Sequence, residues 1–171
     1  MDLEALRETL AHQAELISGL VGDLSEEEVR WKPDPDRWSV LEVVGHLHYE
    51  ERYDFRVRLD ILLHRRGEPC PEIRPMEWVT ERRYNERELQ PSLDAFLKER
   101  AASLKWLDTL DSPDWDAGEE APWGGVLHAG DMLAAWVFHG ELHMQQLVRL
   151  RQDIVRARAA PYEVAYAGEL S

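Results

Sequence analysis

The chain has 171 residues and a formal net charge of −14, from 34 acidic and 20 basic side chains. One domain of this length buries a sizeable core without covalent staples, and two ordinary domains with a linker would need more chain. The acidity excludes the clustered Lys and Arg that track phosphate or anionic lipid, so no nucleic acid and no membrane surface is an expected partner.

Helical periodicity appears four times along the chain. The first helix is predicted from about Asp2 to Leu24, with Leu3, Leu6, Leu10, Ala14, Ile17 and Val21 on one face. Its opening residues lack the basic cap and long apolar run of a signal peptide. Ser25-Glu26-Glu27-Glu28 is a capping box and predicts a one- or two-turn helix in the first connection. A second box, Ser39 with Glu42, opens the second long helix, which runs to about His64 before Gly67 and Pro69. Cys70 stands alone between Pro69 and Pro71, so there is no disulfide framework and no thiolate metal cage. A short helical piece is predicted within Glu77–Leu89. The third long helix runs from Pro91 or Ser92 to Leu110, with Leu93, Leu97, Arg100, Leu104 and Leu107 aligned. The fourth opens near Gly130-Asp131 and ends at about Arg156, ahead of Pro161. No segment reads as a clear strand; Tyr162–Tyr166 is a weak candidate. No stretch approaches the roughly 18 apolar residues that span a bilayer, and a cytoplasmic location is expected.

Connections of about 14, 26 and 20 residues separate the helices, far longer than the links of an up-down-up-down bundle. They predict an all-α fold, a four-helix bundle with long crossover connections over residues 1–156, followed by a C-terminal tail at 157–171. Two successive helices can then lie parallel. Trp31, Trp38, Trp78, Trp115 and Trp123 fall in or beside the connections, where they cap the bundle ends or line a ligand cleft. Broad apolar faces on the first and third helices are consistent with a homodimer.

Polar residues occupy two faces that ought to be buried. The inward stripe of the fourth helix is Met132, Ala135, Trp136, His139, His143, Gln146, Leu147, Leu150 and Ile154; that of the second is Val43, His46, Glu50, Tyr53, Val57 and Ile61. His139 and His143 lie one turn apart and can present two imidazole nitrogens to one point. A buried polar group costs free energy unless it is satisfied, and a divalent metal would satisfy several imidazoles together. His46 completes a three-histidine set if the two helices are neighbours, and the lack of a fourth ligand leaves the open type of site. The reading that competes with this one is a set of separately satisfied core histidines. His128 is the reserve ligand; His48, His12 and His64 point elsewhere.

Two segments carry a further signal: Arg37-Trp38-Ser39-Val40-Leu41-Glu42-Val43-Val44-Gly45-His46-Leu47, and His139-Gly140-Glu141-Leu142-His143-Met144-Gln145-Gln146-Leu147. In this order, and over nearly the whole chain, the sequence resembles the DinB/YfiT-like superfamily of metal-binding four-helix bundles. The resemblance implies a bundle with two crossovers and a site of His46, His139 and His143 that binds zinc, nickel or a similar ion. Members with known activity are thiol-dependent transferases and isomerases, using a low-molecular-weight thiol such as bacillithiol or mycothiol, and metal-dependent hydrolases. A metal-dependent enzyme with a small-molecule substrate is therefore implied, foremost a thiol S-transferase or a related hydrolase. The alternative is a non-catalytic metal- or ligand-binding stress-response bundle.

An open metal position would hold a thiol as its thiolate or activate water. Glu50, one turn from His46, is the candidate catalytic residue: it serves as general base, orients a ligand imidazole, or pairs with Arg100. Arg100, the one charge on the third helix's inward stripe, binds a substrate carboxylate or phosphate, or snorkels to the surface. Gln146 bonds within the site or fills the bundle, and Tyr53 is read as core. Glu141 lies off the metal face, and the order His139-Gly140-Glu141-Leu142-His143 is not that of the zinc-protease helix, where Glu follows the first His.

Overall fold

In a computed structural model of the chain, described over residues 1–121 and 124–168, four long helical columns form a bundle. The first is α1 (Leu3–Val21), begun by Asp2, whose side chain accepts the Ala5 amide at 3.0 Å. The Ser25–Glu28 box caps the short α2 (Glu26–Arg30). The Ser39–Glu42 box opens α3 (Val40–Tyr53), with Ser39 N donating to Glu42 Oε2 at 2.8 Å and Glu42 N to Ser39 Oγ at 3.1 Å. After a bend at Asp54 comes α4 (Phe55–His64), and a short α5 (Pro75–Glu81) occupies the long middle connection. Then follow α6 (Leu89–Leu107) and α7 (Ala129–Ala159).

Side-chain pairs fix how the columns run. Arg7 meets Asp108 and Arg100 donates to the Leu10 carbonyl, so α1 and α6 are antiparallel. Gln13 meets Val137 and Arg151 meets Leu20, so α1 and α7 are parallel. His48 shares a recess with Ser92 while Arg56 reaches Ser103, so α3–α4 and α6 are also parallel. Arg37 pairs with Asp153 and Phe55 stacks on Trp136, so α3–α4 and α7 are antiparallel. The order is up-down-down-up, with α1 packed on α6 and α7, and α3–α4 packed on the same two. The long connections therefore cross the bundle, as their lengths predict.

Three local expectations are corrected. The second long helix is not continuous: Asp54 sits at φ −112°, ψ −89°, and no Gly or Pro announces the bend. A small antiparallel hairpin, β1 (Gly118–Glu120) with β2 (Val126–His128), precedes α7. Three residues per strand are too few for an alternation to be read. In the tail, the strand candidate Tyr162–Tyr166 gives way to a single 3-10 turn at Ala165–Ala167. Among the described residues no helix is long and apolar enough to cross a membrane.

The core is divided. One apolar cluster holds Ile17, Val21, Val40, Val44, Leu93, Phe96, Leu147 and Leu150; the other holds Leu10, Phe55, Leu59, Leu107, Leu133 and Trp136. Trp31 packs against the first and Trp115 against the second, while Trp78 forms a small separate cluster with Val79 and Tyr84. Trp123 lies outside the described residues. Between the two large clusters, at mid-height, sits a layer of buried or half-buried polar side chains: Gln13, His46, Glu50, Glu51, Arg100, Ser103, His139 and His143.

Candidate metal centre

His46 projects from α3, and His139 and His143 project from successive turns of α7. The α3–α7 packing brings the three imidazoles to one point. His139 Nε2 lies 3.1 Å from His46 Nε2 and 3.1 Å from His143 Nε2. The three are the cluster able to hold a metal ion among the described residues, with all ligand atoms within 4.8 Å of one another. Two nitrogens bound to one ion at about 2.1 Å lie about 3.4 Å apart in a tetrahedron and about 3.0 Å apart in an octahedron. The observed spacing falls between these values.

The donor chemistry points the same way. An imidazole Nε2 carries one in-plane hydrogen or one lone pair, so His139 cannot make a linear hydrogen bond to both neighbours. A shared cation resolves the conflict. Gln146 Oε1 lies 2.8 Å from His143 Nδ1, which makes Nδ1 the protonated nitrogen and leaves the Nε2 lone pair facing the cluster. Burial, reinforced by the neighbouring imidazoles, lowers the pKa of His46 to about 2 and of His139 to about 3; burial lowers that of His143 as well. The three rings are thus neutral ligands at physiological pH, the form that binds metal. Phe55 packs on His139 with centroids 4.9 Å apart, and Trp38 packs on His46 at 4.9 Å.

Glu50 stands on the other side of His46. Its Oε1 is 3.9 Å from Nδ1, longer than a hydrogen bond, and has no hydrogen-bond partner among the described residues. Burial and then the adjacent Asp54 carboxylate push its pKa up to about 8. Asp54 is in turn paired with Arg58.

The structure gives Arg100 a different partner from the one weighed for it. Its side chain is buried, with Nη2 2.9 Å from Glu51 Oε2 and Nη1 donating to the Leu10 carbonyl at 2.8 Å. Arg100 neither snorkels nor pairs with Glu50, and its two bonded guanidinium nitrogens face protein rather than a cleft. Glu51 also accepts the Trp136 indole N–H at 2.9 Å, which ties α3, α6 and α7 together one turn from His139. Sequence reading missed Glu51. An inward Arg100 signalled a buried carboxylate, but two adjacent glutamates competed for it and the stripe favoured Glu50. Gln13 was missed too, although its place between Leu10 and Ile17 on the inward face of α1 was legible. It donates to the Val137 carbonyl at 2.8 Å and to Glu141 Oε1 at 2.9 Å.

Gly140, between the two α7 ligands, makes that contact possible, since a Cβ there would lie 2.1 Å from Gln13 Oε1. The remaining histidines stay outside the cluster. His128 Nδ1 is 2.9 Å from the Asp116 carbonyl, His64 Nδ1 is 2.9 Å from Asp60 Oδ1, His12 is exposed, and His48 faces α6. Tyr53 is half-buried beside Tyr49 and Trp78, and Ala135 is exposed rather than inward.

Comparison with known proteins agrees with this architecture. A search of curated proteins finds no match. Among solved structures, YfiT from Bacillus subtilis, described as a probable metal-dependent hydrolase with an unusual four-helix bundle topology, superposes with a TM-score of 0.79. It is 15% identical in sequence, over 90% of this chain and 87% of its own. At that identity the likeness shows the fold. The model of the DinB superfamily matches residues 9–147, a span that begins in α1 and ends just past His143 and Gln146, and so the chain belongs to the DinB superfamily.

Proposed function

We propose that this protein is a divalent-metal-dependent enzyme acting on a small molecule, with hydrolysis as the leading reaction class. The observation that carries the reading is the convergence of three neutral imidazole Nε2 atoms with no carboxylate joining them among the described residues. Structural zinc sites close with four protein ligands, whereas three leave room for substrate. A divalent ion held by His46, His139 and His143 would polarise a substrate oxygen and lower the pKa of water or a thiol. An all-imidazole set suits zinc and nickel alike.

The chain's own residues prepare that chemistry. Gln146 holds the proton of His143 on Nδ1 and so aims Nε2 at the cluster. Glu50 approaches His46 from its Nδ1 side, which fits a positioning residue for that imidazole better than a base aimed at substrate. Phe55 and Trp38 pack against the ligand rings and exclude water from their flanks. The description of YfiT as a probable metal-dependent hydrolase on the same fold supports the hydrolytic class. S-transfer from a low-molecular-weight thiol of the bacillithiol or mycothiol type is the second reading. It is favoured by the lack of a carboxylate within the ligand cluster, because a thiol bound to a divalent metal would release its proton to water with no protein base.

Elemental analysis of protein purified without an affinity tag or chelator, beside His139→Ala, tests the proposal. About one equivalent of divalent metal is expected in the native protein, with loss in the variant and retention of helical circular dichroism. Assays of ester and amide hydrolysis and of thiol conjugation on the same metal-loaded sample then separate the two reaction classes. Absence of bound metal after incubation with zinc and nickel overturns the enzyme reading.

A further inference from the structure

A cleft of about 480 Å³ adjoins the metal centre. Trp38 belongs to both: it lines the cleft, packs 4.9 Å from the His46 ring and stacks parallel to the His143 ring at 6.2 Å. Gln146 also belongs to both, lining the cleft and bonding His143 Nδ1. An occupant of this space therefore touches two residues that touch the ligand imidazoles. Its volume lies within the range that holds a small metabolite.

Two of the charges that line the cleft, one of each sign, are unpaired among the described residues. Arg149 lines it and has no ion-pair partner among the described residues. Arg37 lines the cleft as well but is paired with Asp153, as is Arg156, and Arg151 nearby is paired with Asp23. Asp36 lines the same cleft and likewise has no ion-pair partner among the described residues. One unpaired cation and one unpaired anion lining the same cleft do not suit a polyanion such as a nucleotide, which Asp36 would repel. They suit a ligand carrying one carboxylate and one ammonium group, the guanidinium taking the carboxylate in its planar fork. Leu142, Leu150 and the Trp38 ring supply apolar wall for a side chain between the two ends.

We propose that this cleft is a binding subsite for a zwitterionic, amino-acid-like small molecule, with Arg149 holding the carboxylate, Asp36 the ammonium and Trp38 the apolar body beside the metal centre. As part of an active site it rests on the metal-dependent enzyme reading, whereas binding itself does not. The ligand class follows from the charge pair and the wall, and the adjacency to His143 follows from Gln146.

Fluorine NMR of the full chain with 4-fluoro-L-phenylalanine, 3-(4-fluorophenyl)propionate and 4-fluorophenethylamine tests it. The zwitterion binds at least about tenfold tighter than either single-charge analogue, because a charge-assisted contact is lost in each. Arg149→Gln weakens the zwitterion and the acid about tenfold and leaves the amine unchanged; Asp36→Asn weakens the zwitterion and the amine and leaves the acid unchanged. Both side chains are exposed, so neither substitution threatens the fold. Equal binding of the three probes, no binding of the zwitterion, or variants that fail to discriminate overturns the subsite. Loading cobalt(II) adds a second arm: enhanced fluorine relaxation of the bound zwitterion is expected. Normal relaxation with cobalt bound overturns the adjacency. Failure to bind cobalt refutes the metal reading alone, while the metal-free affinities still decide the subsite.

Discussion

Replacing Arg100 with Met isolates the buried ion pair of the mid-bundle layer. Both partners are almost wholly removed from water, and Glu51 Oε2 accepts from Arg100 and from the Trp136 indole, each at 2.9 Å. Met fills similar volume, so the cavity term is small and the loss is dominated by the Glu51 carboxylate left buried with one donor. Breaking a buried pair in this way costs about 3–5 kcal/mol. For a chain of this size, each kcal/mol moves the melting temperature by about 2–4 °C, so a fall of roughly 6–20 °C is expected. Urea denaturation and differential scanning calorimetry of the metal-free protein measure both quantities. The double variant Glu51→Met with Arg100→Met removes both charges and should recover most of the loss. It retains a deficit of about 1–2 kcal/mol, because Trp136 Nε1 then lacks an acceptor. A loss below about 1 kcal/mol in R100M, or a double variant as unstable as the sum of the singles, refutes the argument that the pair is dry and mutually dependent.

Three further outcomes follow from the same layer. Gly140→Ala gains about 1 kcal/mol of helix propensity but drives a methyl into Gln13, with loss of about 1–3 kcal/mol of buried hydrogen bonding, so it destabilises. Thermal melts should show Gln13→Ala restoring stability in the Gly140→Ala background. Gln146→Leu removes the acceptor on His143 Nδ1 and should weaken metal affinity about 10–100-fold, read by competition with a chromophoric chelator. The metal-free protein should be most stable near neutrality. The three lowered imidazole pKa values contribute stability above their ordinary 6.5, and it is lost as pH falls below that value. The raised Glu50 pKa contributes stability present below its ordinary 4.5, and it is lost as pH rises toward about 8. Denaturation midpoints against pH should thus peak, and Glu50→Gln should flatten the alkaline limb. An unchanged alkaline limb in that variant would place the Glu50 carboxyl in water.

Much of this architecture is legible in the sequence because the physics is local. The Ser25–Glu28 and Ser39–Glu42 boxes are capping interactions within one turn, and both appear where the residues predict them. His139 and His143 share a face by helical pitch alone, and His46 is marked by its place between Val43 and Glu50 on an inward stripe. The bend at Asp54 is silent because it keeps the turn-to-turn hydrogen bonds: Asp54 N still donates to the Glu50 carbonyl at 3.0 Å, and Arg58 N to the Asp54 carbonyl at 2.9 Å. Glu51 was illegible for a different reason. Its partners Arg100 and Trp136 lie far along the chain, and only the arrangement of three columns decides which of two neighbouring glutamates they meet. The hairpin before α7 escapes because strands of three residues are too short to show an alternation.

The mid-bundle polar layer also acts as a vernier for assembly. Apolar helix faces slide past one another at little cost, because Leu packs against Val at many offsets. A turn's slip of α7 along α3, about 5.4 Å, would lift His139 to the height of His143 and pull Trp136 from Glu51. Gln13 would then meet a side chain in place of the notch at Gly140. Each mismatch strands a polar group in the dry interior, so the wrong offsets are penalised several times over and one alignment survives. Chemistry confined to a few ångströms at mid-height thereby sets the longitudinal position of helices of 19 to 31 residues such as α1, α6 and α7.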